Sequence, residues 1–142
     1  MESSRIGVAL SGGGVRAAVF HLGLLARLAH DDLLKNVAFL STVSGGSMVT
    51  ALVYALSGLR WPSSQEYLRG VLPEARTLLT TKSIQRNVYA RTARQPWLLG
   101  RERARVVSAS MQELWGITGL IRDIPPHPRW MINATTYETG KS

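Results

Sequence analysis

The chain has 142 residues, is 45% hydrophobic and carries a formal net charge of +8. That is enough apolar material for a packed core and too much for a disordered chain, and the length bounds it to one domain or part of one. With no cysteine it can hold neither a disulfide framework nor a thiolate metal site, and its three histidines show no zinc-ligand spacing.

Met1 to Arg5 runs directly into a strand-like stretch, without the apolar core and small-residue cleavage site of a signal peptide. The apolar runs fall well short of the ~18 residues of a membrane span. A cytoplasmic protein is the expectation, with no cofactor. Ile6-Gly7-Val8-Ala9-Leu10 reads as a buried strand closed by the glycine loop Ser11-Gly12-Gly13-Gly14. Val15 to Ala29 then places Val15, Ala18, Val19, Leu22, Leu25, Ala26 and Ala29 at helical spacing, with Arg16 and Arg27 outside it. Gly23 weakens this helix unless it permits close packing on a sheet. Asp31-Asp32 breaks the pattern, and Val37 to Val43 forms a second strand. The order β-loop-α-β-loop-α implies a parallel pair joined by a crossover helix.

At the end of the second strand stands Thr42-Val43-Ser44-Gly45-Gly46, followed by the helix-forming run Met48 to Leu56. A serine on such a strand–turn–helix corner projects its hydroxyl from the top of a sheet, with N–H groups of a helix N-terminus behind it. The hydrolase template is G-x-S-x-G; here the second glycine matches and the first is threonine. Gly58 and Pro62 close that helix. Ser63-Ser64-Gln65-Glu66 has capping-box spacing. Pro73 suits a first helical turn, and the weak pattern to about Arg94 predicts short helices. Gly100 to Trp115 reads as another helix, with Val106, Val107, Met111, Leu114 and Trp115 near helical spacing and Gly116 as its stop. Pro125 to Pro128 is extended, and Arg129 to Tyr137 reads as a third strand.

Charge is uneven. Arg60 to Arg105 holds ten Lys/Arg against three Glu, a surplus of +7. Solvated helix faces account for such a run; so does attraction to an anionic surface. Interleaved apolar residues (Leu68, Val71, Leu72, Leu78, Leu79, Trp97, Leu98, Leu99) favour peripheral contact with an anionic membrane over nucleic acid.

Ser44 as a nucleophile needs a base and an oxyanion hole. The loop beside it supplies the second: glycine lets consecutive N–H groups converge on an anion, so Gly13 and Gly14, with a contribution from Gly45, form the candidate hole. Arg16 sits one turn on, able to steady the loop or meet a phosphate. The same glycines approximate the dinucleotide fingerprint, but the acidic residue it requires after the second strand is missing. Gly140-Lys141-Ser142 imitates the end of a P-loop, yet Thr135 stands where that motif needs glycine. Asn133-Ala134-Thr135 is a glycosylation sequon without a secretory context. For the base, Asp123 and His127 follow Ser44 in triad order, but they are four residues apart in a Pro-rich segment and read as surface groups. His21 reads as packed in the first helix and His30 as lying near its end. No base can be named from these residues.

Leu10-Ser11-Gly12-Gly13-Gly14-Val15-Arg16 and Val43-Ser44-Gly45-Gly46-Ser47 together resemble the patatin-like phospholipases in content, order and separation, over about the first 58 residues. The Pro-rich lead into Ile132-Asn133-Ala134-Thr135-Thr136, through Gly140, is similar to a later strand of that family. The resemblance implies an α/β fold of three layers around a mainly parallel sheet, and a lipid acyl hydrolase with a Ser–Asp dyad. It implies Ser44 as nucleophile and Gly12, Gly13 and Gly14 as the oxyanion hole, with Arg16, Gly45 and Gly46 in support and no metal. The family's dyad aspartate lies in an Asp-Gly-Gly/Ala motif that this sequence lacks, so residues 1–142 are expected to be the N-terminal part of the domain and inactive or barely active alone. Within them, 1–58 carry the glycine loop and elbow, 59–124 a mainly helical basic segment and 125–142 a later strand. The alternative is a catalytically inactive lipid- or membrane-binding module.

Overall fold

The computed structural model describes residues 5–94 and 103–135. Two apolar runs form the first strands, β1 (Ile6–Leu10) and β2 (Val37–Val43), and β3 (Arg129–Asn133) joins them in one sheet of order β1-β2-β3, parallel throughout. Leu10 pairs with Thr42, and Val43 with Asn133, so the three strands end together. The expected α/β architecture is observed. The third strand is shorter than expected: Ala134 and Thr135 lie outside it, and Tyr137 falls outside the described residues.

α1 (Gly14–His30) and α2 (Gly45–Leu56) each leave the C-terminal edge of a strand and run back. Alternation along the strands divides the sheet. Val8, Leu10, Leu40 and Thr42 are buried, while Gly7, Ala9, Val43 and Met131 are exposed. The buried parity joins one core with Leu22 and Leu25 of α1 and Val49, Leu52 and Val53 of α2. Gly23 does not serve close packing on the sheet: it is exposed, and nothing lies within 4 Å of where its Cβ would stand.

Ser63 starts the next helical run as its capping box predicts. Its hydroxyl accepts from the Glu66 N–H, and the Glu66 carboxylate accepts from the Ser63 N–H. Glu66 also pairs with Arg60, and these bonds hold its carboxyl down to about 2. The run comprises α3 (Ser64–Glu66), a π turn over Tyr67–Val71 and α4 (Leu72–Thr81). Pro73 lacks the N–H that an α-helix would bond to Arg69, and the wider turn lies immediately before it. α5 (Ile84–Arg94) and α6 (Arg103–Trp115) pack on each other, tied by Arg91–Glu113 and by the Ser110 hydroxyl on Asn87.

The apolar residues interleaved with the arginines have a different role from the expected one. Val71 and Leu79 are buried, and Leu68, Leu72 and Leu78 pack against the core. The helices turn their apolar stripes inward because burial there removes more apolar area from water than a surface contact would. Trp97, Leu98 and Leu99 lie outside the described residues.

Candidate active site

At the shared C-terminal edge of β1 and β2, two loops meet. Gly13 (φ 137°) and Gly14 (φ 64°) turn β1 into α1 through backbone conformations that side chains rarely adopt. From β2, Ser44 turns into α2 at φ 49° and ψ −113°. That left-handed value on a non-glycine residue costs roughly 1–3 kcal/mol and has the strained strand-to-helix geometry that the expected elbow requires.

The elbow sits hard against the glycine loop. A Cβ on Gly45 would run into the Gly14 carbonyl and come within 3.1 Å of the Ala17 methyl; one on Gly46 would strike the Leu10 backbone. Only hydrogens fit at these two positions, and Ala17 must stay small. The Gly46 N–H donates to the Ser11 carbonyl at 3.2 Å. A Cβ on Gly12 would lie 3.3 Å from that of Ser44, so Gly12 borders the serine directly. The structure thus brings Gly12, Gly13, Gly14, Ser44, Gly45 and Gly46 together. Gly14 and Gly45 begin helices, whose first N–H groups have no partner inside the helix.

Ser44 is exposed, and its hydroxyl has no hydrogen-bond partner among the described residues. A serine at an N-cap ordinarily accepts from the second or third N–H of its helix; Ser44 makes no such bond. Its oxygen is left free at the mouth of two helix N-termini, where partial positive charge favours an anion. Arg16 is exposed in the first turn of α1 and makes no side-chain bond to the glycine loop among the described residues.

Two side chains brace the site in ways the sequence did not reveal. His21 is buried, and its Nε2–H donates to the Ser11 carbonyl at 3.1 Å, with the Ser11 hydroxyl 3.2 Å from the same nitrogen. The imidazole therefore holds the strand end from which the glycine loop departs. Thr42, the departure from the G-x-S-x-G pattern, points to the covered face of the sheet. There its hydroxyl accepts from the Trp130 indole at 2.8 Å and lies 2.9 Å from that of Ser47. Asn133 closes the edge, its amide donating to the Ser41 hydroxyl and the Thr42 carbonyl.

The remaining candidates lie elsewhere. Asp31 and Asp32 follow the far end of α1, whose 17 residues span about 25 Å; they pair there with Arg27 and Lys35. Asp123 accepts from the Leu120 N–H and approaches Arg122. His127 precedes β3, whose first residue Arg129 pairs with Phe39, so about 13 Å of strand separates it from the elbow end. Among the described residues no cluster of His, Asp or Glu could hold a metal, and no helix is long and apolar enough to cross a membrane.

Below the elbow, between α2 and β3, an apolar pocket of about 300 Å³ opens; Ser47, Met48 and Ala51 of α2 and Trp130 and Ile132 of β3 contribute to its lining.

A family model described as patatin-like phospholipase matches residues 8–124, which include both loops and the helical run that follows. No curated protein and no solved structure gives a significant match to the chain.

Proposed function

The chain belongs to the patatin-like phospholipase family, a family of lipid acyl hydrolases, and from that premise we propose that Ser44 is the nucleophile of a Ser–Asp dyad acting on lipid esters. The observation that carries the proposal is the free, exposed Ser44 hydroxyl on a φ 49° corner against the glycine loop. In this reading Ser44 Oγ attacks the ester carbonyl carbon and gives its proton to the dyad carboxylate. The N–H groups of Gly12, Gly13 and Gly14 receive the oxyanion, and Gly45 and Gly46 keep the elbow against them. Collapse expels the alcohol, which takes the proton. Water, deprotonated by the same carboxylate, then releases the fatty acid and restores Ser44. Arg16 would meet the phosphate of a phospholipid head group.

The dyad carboxylate, in our proposal, comes from outside residues 1–142, because Asp31, Asp32 and Asp123 are committed elsewhere. A polypeptide that carries an Asp-Gly-Gly or Asp-Gly-Ala segment after these residues should release fatty acid from phospholipid or p-nitrophenyl esters, and Ser44→Ala should abolish the release. Turnover unchanged by Ser44→Ala would sink the proposal. Loss of an oxyanion donor costs ~10²–10³ in rate, so loop variants should retain measurable activity. The partnerless Ser44 hydroxyl also supports a second reading, an inactive lipid-binding module. It would be favoured if the longer polypeptide bound lipid without hydrolysing it.

A further inference from the structure

The apolar pocket between α2 and β3 begins one helical turn along α2 from Ser44. Its lining includes Ser47, one helical turn after Ser44, and Ile132, which pairs with Thr42. Ala51 and Ala55 are one turn apart on α2, and both line it. Their small side chains leave room that a larger residue would fill. Ile117, Gly119, Ile121 and Ile124 from the segment after α6 line it as well. Ile121, Ile124 and Trp130 also line a second hollow, beside Pro125, Pro126 and His127, so they stand as a partition between the two.

We infer that this pocket takes the acyl chain of the substrate and limits it to about ten carbons, with Ala51 setting its width and the Ile121–Ile124–Trp130 partition its depth. The inference rests on the proposed role of Ser44 for its orientation, with the carboxyl end at the elbow and the methyl end at the partition. The length follows from volume: a methylene fills roughly the share of liquid volume of one water, about 30 Å³, and the pocket offers about 300 Å³. The lining offers almost no polar group to a chain. Ser47, its one side-chain hydroxyl apart from the Tyr54 phenol, is engaged with Thr42. An extended hydrocarbon gains from such a surface, whereas a head group would lose its water without replacement.

Binding can be read without catalysis, using terminally brominated fatty acids of six to sixteen carbons, below their micellar concentrations, as quenchers of Trp130 fluorescence. Each methylene should tighten binding about fourfold until roughly ten carbons and add little beyond. Trp130→Phe should remove most of the quenching. Ala51→Leu should move the break to shorter chains, and Ile124→Ala, by opening the partition, to longer ones. A variant that merely failed to fold would lose binding at every length, so the opposite shifts separate gauge from damage. Affinity climbing without a break to sixteen carbons, or no quenching at all, would overturn the inference. Ser44→Ala should bind the same series unchanged, so a failure of the catalytic proposal would leave this result standing.

Discussion

Thr42 stands where serine hydrolases of this corner type carry glycine, and restoring the glycine should damage the protein. The side chain is buried, and its hydroxyl receives the Trp130 indole N–H and meets Ser47. Trp130 in turn stacks on Tyr54, ring centroids 5.5 Å apart, so one hydroxyl ties β2, β3 and α2 together under the elbow. Thr42→Gly removes that tie, leaves a half-buried indole N–H unpartnered and opens space in the core. The expected loss is about 2–3 kcal/mol, a fall of roughly 10 °C in Tm by calorimetry. Thr42→Ser keeps the hydroxyl and should lose less than half as much. A Thr42→Gly protein as stable as the parent would mean that the hydroxyl network contributes nothing. The two glycines after Ser44 obey the opposite rule, since backbone occupies the place of their missing Cβ atoms.

α1 shows at the level of an element where sequence and packing agree and where they part. Its apolar spacing announces the buried face: Ala18, Leu22, Leu25 and Ala29 are buried, whereas Val19, placed on the same face by its spacing, is exposed. Of the two readings of Gly23, a weak point in the helix or a site of close packing on the sheet, the open space at its Cβ position leaves the first. Its Cβ position is open and its φ is not positive, so Gly23→Ala should stabilise the chain by about 0.5–1 kcal/mol, raising Tm by a few degrees. A lower Tm would point to a neighbour that the helix face does not show. β1 and β2 were legible because a buried parallel strand reads as a short apolar run, bounded here by glycines and a turn. The loop and the elbow were legible for a related reason: tight turns and close backbone approaches require glycine locally. The Thr42–Trp130 bond spans 88 residues, and His21 reaches back ten residues to Ser11. No local pattern encodes either contact. The segment from Pro73 to Arg94 was faint because α5 draws its order from α6, through Asn87 and Arg91, more than from a strong apolar stripe of its own.

Across the whole molecule, the excess positive charge now has to act without the apolar stripes that first suggested a membrane. Arg60 and Arg91 are paired with Glu66 and Glu113. Arg69, Arg76, Lys82, Arg86 and Arg94 are exposed and make no ion pair among the described residues. Their apolar neighbours on α4 face the core, so the helix cannot lie in a bilayer by that face without unfolding. Exposed apolar side chains cluster with cations on α1, where Val19, Phe20 and Leu24 stand with Arg16 and Arg27 on the outer surface; within the described part of the basic segment Tyr89 of α5 is the large apolar side chain most open to solvent. We propose that the basic segment would meet an anionic membrane chiefly through charge. Residues 1–142 should co-sediment with phosphatidylcholine vesicles containing about 30% phosphatidylserine at low ionic strength, and not with phosphatidylcholine alone. Binding should be lost near 1 M salt, where the screening length falls to about 3 Å. At roughly 1 kcal/mol for each cation near the surface, replacing Arg69, Arg76 and Arg86 by glutamine together should weaken binding by up to roughly 100-fold. Binding that survived both high salt and the triple replacement would assign the contact to the exposed α1 face instead, and Phe20→Ser would then be the substitution that releases it.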